Sequence, residues 1–499
     1  MKKIAICMSL LIGQAWALSF TTPVTLSESG QEVSSLKVAI NEKGEALALW
    51  GSINFESKEE TLFAATRDGE KKWSIAALSE PAQDIYKLRS FIDGQGNYFV
   101  SWEIKKEDLE GEKIKYYQFA KKEKNQPWIP AVNVLNPDDK LKYPEMSFDS
   151  QGNVLFLSHA EIKDPKESTN HSVVSVFYNH QNGEINKTEI AKSPGYLSSQ
   201  HLIKNREGKV FAWWEESRSS YDQIKGYQSE KLLVGSWLQD NGSWSAPTTF
   251  FSFSDSPALL SQKGIMNSKG DLAMLWEQSE YGKAKTIQAV TCEDGKWSEL
   301  VDFAVSKDYF PGLVFAMNDE GHMVASWQRS EKGKEVVYVV DKSALQPWSS
   351  PIALSDPKRD TSSTKIAIDA KGNILIVWVV LEGRKAVPFA AYKPVNQEWG
   401  APVRLSNGAQ ECVGLKVETN HQGSFVVLWS EYQRKQVSIH GAALSTATKE
   451  WSSAKLSPEG QDCGNFKLAF NKDGQGVIAW LTSWDGEDSY VQVAELNVD

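Results

Sequence analysis

The chain has 499 residues, of which 41% are hydrophobic, 24% charged and 11% aromatic, with 34 Gly and 18 Pro. That balance excludes a disordered, collagen-like or low-complexity chain. The formal net charge is −10, and the 54 basic residues comprise 45 Lys and only 9 Arg, which argues against a nucleic-acid binder working through a basic, guanidinium-rich face.

The first element is residues 1–17, MKKIAICMSLLIGQAWA. Lys2 and Lys3 form a charged start, Ile4 to Gly13 an apolar run, and Ala15-Trp16-Ala17 a small-x-small cleavage site. This pattern predicts a secretory signal peptide, too short to span a bilayer. Its short charged region has a bacterial look, so the product is expected in the periplasm, on the cell surface or outside. No later run is long and apolar enough to predict membrane insertion.

From residue 18 to 499 one motif recurs: Asn/Asp-x-x-Gly, a polar residue, an apolar run, then Trp six residues after the Gly. It occurs at 41–50, 93–102, 149–158, 205–214, 267–276, 318–327, 369–378, 420–429 and 471–480. Eight of the nine copies end in Trp and the third ends in Ser158. The end positions are spaced 52, 56, 56, 62, 51, 51, 51 and 51 residues apart. Each unit reads as four strands. The first alternates, as in Leu36-Val38-Ile40. The Asn/Asp-x-x-Gly element is a tight turn, with the side chain capping its own backbone and Gly accepting positive φ. The second strand (ALALW, ILIVW, FVVLW) is apolar without alternation, the mark of burial on both faces. A third strand follows a variable loop, as in LFAAT (62–66) or YVQVAEL (490–496). The fourth is short and follows a second recurring Trp, as in PIALS (351–355) and PVRLS (402–406).

Four-stranded repeats of about this length predict an all-β fold, a single β-propeller of about nine blades. The chain after the signal segment opens on a lone fourth strand, PVTLS (23–27), and the last unit stops after its third. Pairing of 23–27 with 490–496 is therefore expected to close the propeller and remove both edges.

On the G-x5-W elements and the short strands after the second Trp, the chain resembles exported bacterial β-propeller repeat proteins, in the broad neighbourhood of sialidase-like and lectin-like propellers. Such folds host enzymes, lectins and scaffolds alike. The Asp-box of sialidases, Ser-x-Asp-x-Gly-x-x-Trp, is absent, since Asp369-Ala-Lys-Gly372 sets Gly and Trp at other spacings. No Arg-Ile-Pro opens the chain, so an arginine-clamped glycosidase site does not carry over.

In a propeller, the loops from second to third strand and from fourth to next first strand gather on one face. The second-to-third loops vary most, with insertions at 159–170 and 215–231. They carry Arg218, Tyr281, Arg329, Arg384, Tyr432, Arg434 and Trp484. Arginines among aromatics suit a carboxylate-bearing sugar or an acidic peptide, and these seven are the candidate ligand-binding residues. A solvated rim is the plainer reading of the same residues. Glu103, Glu215, Glu216, Glu277 and Glu431 follow the second strands, and Glu215 with Glu277 are candidate paired carboxylates of a glycosidase. His159 and His171, with Glu161 and Asp164 between, could approach a zinc ion but lack a metal-ligand spacing. No catalytic residue, metal or other cofactor is assigned.

Cys412 and Cys463 lie one repeat apart, each eight residues before its turn. Two readings stand. A disulfide is favoured by an oxidising compartment and by first strands converging near the axis. Buried free thiols are favoured because equivalent side chains point the same way, and packed sheets lie about 10 Å apart where a bridge needs Cα atoms within roughly 7 Å. Cys292 is expected free in either case. The expected function is non-enzymatic binding of a protein or cell-surface glycan through the loop face. A glycoside hydrolase or lyase using the loop carboxylates, and a structural assembly scaffold, are the alternatives.

Overall fold

The computed structural model describes residues 18–28, 32–68, 72–82, 84–107, 113–135, 141–162, 170–193, 195–223, 226–254, 256–344, 346–407, 411–419, 423–433, 436–482 and 489–498. The expected signal segment, 1–17, lies outside the described residues.

The local rule that starts each blade is visible in the first turn. The Asn41 side-chain oxygen accepts from the backbone N–H of Lys43 and of Glu45, both at 3.0 Å, and Gly44 takes a φ of +78°. The amide then reaches onward, with Asn41 Nδ2 donating to the Asp93 carbonyl of the next turn at 3.0 Å. Asn205 and Asn318 make the same inter-blade contact to Asn267 and Asp369, both at 2.9 Å, and Asn471 makes it to Asn41 at 3.1 Å. Asp cannot donate. At Asp93, Asp149 and Asp369 the second carboxylate oxygen instead accepts from an Asn four residues on.

Among the described residues there is no helix, and nine antiparallel blades follow one another, four-stranded except that two short segments share the outer position in blade 5 (Lys296–Trp297 and Val301–Ser306) and in blade 9 (Leu18–Phe20 and Val24–Thr25). Blade 1 is Glu32–Ile40, Ala46–Ile53, Glu60–Arg67 and Trp73–Ala77, paired in chain order. The other first strands are Asp84–Ile92, Lys142–Phe148, Tyr196–Lys204, Ala258–Met266, Val314–Met317, Asp360–Ile368, Glu411–Thr419 and Cys463–Phe470. Each lies beside the next, and the ninth lies beside the first. Blades 7 and 8 are also joined by one parallel pair, Ala386 with Glu411. This is the all-β propeller that the repeats imply.

The apolar runs of the second strands are buried, as their lack of alternation requires, and their eight tryptophans are at most 2% exposed. The cores lie between blades, where Val324 and Val337 of blade 6 pack on Ile376 and Trp378 of blade 7. Blade 3 lacks the Trp, and Ser158 is fully buried. Phenylalanines fill the adjoining interface instead, with Phe99, Phe119, Phe148 and Phe156 in one cluster.

The chain's two ends share one sheet. Val24 and Thr25 pair with Val493 and Gln492, within the segments the sequence singles out. A pairing the sequence analysis missed extends it: Leu18–Phe20 lies along Leu496–Val498. Leu18 there packs against Gly441 of blade 8, where a Cβ would come within 2.5 Å of a Leu18 methyl. The three cysteines among the described residues, Cys292, Cys412 and Cys463, are free and buried, and Cys412 and Cys463 belong to different interface clusters. The structure thus selects the packed-thiol reading over the bridge.

Candidate functional site

The hairpin ends between second and third strands and the entries to the first strands occupy one end of the blades. Seven aromatic side chains are exposed among the described residues, and all lie at that end. Phe55 and Tyr281 sit in the second-to-third turns of blades 1 and 5, and Tyr281 is 104% exposed. Tyr86 and Tyr196 open the first strands of blades 2 and 4, and Tyr309 lies in the entry to blade 6. Tyr221 and Tyr227 face each other across the blade 4 hairpin, with ring centroids 6.1 Å apart and planes at 68°. Among the described residues the opposite end exposes none. A one-sided distribution of large aromatic surface marks an interaction face, because rings left in water bring no folding benefit.

Of the 215–231 segment expected to be a loop, 215–222 and 226–231 are instead strand. Val210–Asp222 pairs with Gly226–Leu238 along its whole length and carries the hairpin out from the blade. Arg218, Ser220, Gln228, Glu230 and Phe253 help line a cavity of about 640 Å³ on this hairpin. Arg218 Nε lies 2.6 Å from Glu216 Oε1, so the guanidinium is held by its own strand while staying half in solvent. Glu216 also accepts from Ser193 Oγ.

The other expected ligand residues are dispersed. Arg329 stacks on Tyr338 at 4.2 Å and bonds Glu331 and the Tyr338 hydroxyl. Those two donors hold the Glu331 carboxyl below the usual carboxylate range. Arg384 is exposed in a two-residue turn, and Tyr432 is half-buried on Ser424–Gln433. Arg434 and Trp484 lie outside the described residues. The structure brings Arg218 into a cavity and leaves Tyr281, Arg329, Arg384 and Tyr432 on separate blades of the same end.

The acidic residues after the second strands are all buried. Glu103 is held by Lys115 at 3.1 Å, Lys87 at 3.4 Å and the Tyr117 hydroxyl at 2.9 Å. Glu215 pairs with Lys231 at 2.7 Å and accepts from Gln262. Glu431 accepts from Trp429 Nε1 at 2.8 Å and Ser406 Oγ at 2.6 Å. Glu277 differs: among the described residues one carboxylate oxygen has no hydrogen-bond partner, the other accepts a long 3.5 Å bond from Phe310 N, and burial raises its pKa. A second cavity, about 500 Å³, lies along the first strands of blades 3 to 5 and is lined by Glu145, His159, Tyr196, Gln200, His201 and Gln262. His201 stacks on Trp213 at 4.6 Å, and burial holds its pKa below the ordinary histidine value. His159 faces Gln200 at 3.1 Å and His171 packs edge-on against Tyr196, so neither ring is aimed at the other. The Glu161 side chain and Asp164 lie outside the described residues.

Sequence reasoning singled out Tyr281 but passed over Tyr86, Tyr196, Tyr221, Tyr227 and Tyr309. Their signal was available: Tyr221 and Tyr227 sit in an otherwise polar stretch, SRSSYDQIKGYQ, where no core calls for a ring.

No family model matches the chain, and no curated protein matches its sequence. Among solved structures, an ulvan lyase of polysaccharide lyase family PL25 is 11% identical with a TM-score of 0.39, covering 94% of this chain and 95% of that one. A protein of unknown function from Dyadobacter fermentans DSM 18053 is 10% identical with a TM-score of 0.35, covering 61% and 94%. The β-propeller domain of the Trilobed protease from Pyrococcus furiosus is 11% identical with a TM-score of 0.33, covering 76% and 97%. At these scores the likenesses carry no functional argument.

Proposed function

We propose that this chain is an exported, non-enzymatic β-propeller that binds a cell-surface glycan or protein through the end bearing its exposed aromatics. The observation that carries the reading is the confinement of all seven exposed aromatic rings to that end. Tyrosine offers a flat apolar face to sugar C–H groups and a hydroxyl to their oxygens, at small conformational cost. Lys105 and Lys285 sit over Tyr86 and Tyr309 at 4.2 and 4.1 Å, fixing the rings and adding positive charge. The test is binding to immobilised neutral and acidic polysaccharides by the intact chain and by a Tyr221→Ala/Tyr227→Ala/Tyr281→Ala variant. All three positions are solvent-facing, so the variant is expected to fold normally and to bind roughly tenfold more weakly. Unchanged binding by the variant would remove the assignment.

A glycoside hydrolase or lyase is the second reading. It is favoured by the incompletely bonded, buried Glu277 carboxyl and by the cavity that holds His201 and Tyr196. Release of new reducing ends or unsaturated sugars from the same polysaccharides, abolished by Glu277→Gln or His201→Ala, would establish it. A scaffold role would leave both assays silent.

A further inference from the structure

Superimposing the nine repeats on their turn residue brings out one further position, four residues upstream, on every first strand. In six blades it is a permanent cation: Lys37, Arg89, Lys263, Lys365, Lys416 and Lys467. The remaining blades carry Glu145, His201 and Val314. All six cations share one register, each opposite the residue just before the second-strand Trp: Leu49, Ser101, Leu275, Val377, Leu428 and Ala479. A bulge just upstream recurs too, with positive φ at Lys87, Ser261, Ser363, Gly414 and Asn465. The cations therefore occupy equivalent points on the strands that touch one another around the middle of the molecule.

Among the described residues none of the six makes an ion pair with a carboxylate. Lys37 Nζ donates to the Leu88 carbonyl of the neighbouring first strand at 2.5 Å, and Lys467 to Asn465 Oδ1 at 3.0 Å. Burial, and then the charge of like neighbours, holds three of them below the ordinary lysine pKa. Lys37 is opposed by Arg89 and Lys467, Lys365 by Lys416 and by Lys263 two blades away, and Lys467 by Lys416. Of the six acids on these strands, Glu32, Asp84, Asp360 and Glu411 open their strands at the aromatic end, and only Glu145 and Glu418 lie within two residues of the cation position. A confined space lined mainly by one sign of charge concentrates ions of the other sign, here as a local patch set against a chain net charge of −10.

We propose that the first strands enclose an anion-binding channel whose ligand is an acidic polysaccharide, a linear chain of carboxylate- or sulfate-bearing sugars. The argument for a chain over a single small ion is geometric. Tyr86 stands on the same strand as Arg89, three residues toward the aromatic end, about 10 Å at 3.3 Å per residue, and Tyr196 stands five residues, about 16 Å, from His201, which fills the equivalent position in blade 4. One extended polymer spans that distance, stacking above and held by charge below. The inference rests on the binding reading above and adds the ligand's charge and depth.

The experiment measures binding of fluorescently labelled dextran sulfate, polygalacturonate and neutral dextran to the intact chain and to two variants. One is Lys263→Gln/Lys365→Gln/Lys416→Gln, and the other is the Tyr221/Tyr227/Tyr281 triple alanine. Acidic polymers should bind and neutral dextran should not, with affinity falling as salt is raised. The glutamine variant should lose roughly tenfold or more for the acidic polymers. It should melt no lower than the parent, because repulsion is removed, and dextran sulfate should raise the melting temperature of the parent alone. Full acidic-polymer binding by the glutamine variant overturns the channel, and if the tyrosine variant has lost binding the aromatic-face reading still stands. Loss only in the glutamine variant upholds the channel and overturns the aromatic face. Neutral dextran binding as tightly as dextran sulfate, or duplex DNA competing as well as either acidic polymer, overturns the assignment to an acidic glycan. Should the triple glutamine chain fail to fold, Lys365→Gln alone gives the same comparison.

Discussion

Six of the eight second-strand tryptophans, Trp378 among them, bury an indole N–H with no acceptor among the described residues, whereas Trp276 and Trp429 donate to Gln288 and Glu431. The ring is kept for its volume at the blade interface, not for its polar atom. Trp378→Ala should therefore cost about 3–5 kcal/mol, as large aromatic truncations in packed cores do. Trp378→Phe should cost far less, since losing an unsatisfied donor, worth about 1–3 kcal/mol, offsets part of the lost contact. Chemical denaturation of the two variants makes the comparison, and equal losses would contradict it. Lys204 offers a test in pH. Its ammonium sits over Phe91 at 4.6 Å, and burial lowers its pKa to about 8. Between that value and the unfolded value near 10.5, the unfolded chain holds the proton and the folded chain does not. Stability from this group therefore rises with pH across that window. Lys204→Met should flatten the rise and raise the melting temperature at neutral pH, measured by thermal melts across the alkaline range.

At the level of the turn and the strand, Asn and Asp are not equivalent at the first turn position, although both cap the same backbone. Only Asn ties one blade to the next through Nδ2. Asn471, buried, ties the ninth turn to the first. Asn471→Asp keeps the cap, removes that donor and sets a carboxylate against the Asn41 carbonyl. Its unfolding free energy should fall by about 1–3 kcal/mol, while Asp93→Asn should change it little; denaturant midpoints separate the two. The turns, the buried strands and the blade count were legible because each repeats a local constraint nine times. What the sequence analysis took for a blade 4 loop is paired strand, since the polar run at 215–222 is held extended by its partner and not by an apolar face. The cation position was equally periodic and equally visible in the letters. Its meaning was not legible there, because a lysine's neighbours across the middle of a propeller are hundreds of residues away in sequence. The dispersal of Arg329, Arg384 and Tyr432 has the same cause: adjacency of repeats in sequence does not set how far apart their rims stand.

Across the whole molecule, the strand Tyr490–Val498 is the third of its blade and, among the described residues, the strand on which both Leu18–Phe20 and Val24–Thr25 pair. Phe20 also stacks on Trp480 at 5.4 Å, and Leu26 is buried between blades 9 and 1. Removing residues 489–499 should therefore abolish cooperative unfolding rather than merely lower the midpoint, and a sharp calorimetric transition in the truncated chain would argue against closure by this pairing. The same feature has a meaning in time. Val24 and Val493 are 469 residues apart. At about 5–20 residues per second, a ribosome needs roughly 25–95 s to supply the partner of the strand it made first. Through that interval the opening strand is an unpaired donor, and any finished ninth blade of another copy offers the edge it lacks. Refolding at high protein concentration should accordingly yield exchanged dimers that dilution before refolding prevents, resolved by size-exclusion chromatography. The opening strand of one molecule would then complete the last sheet of its neighbour.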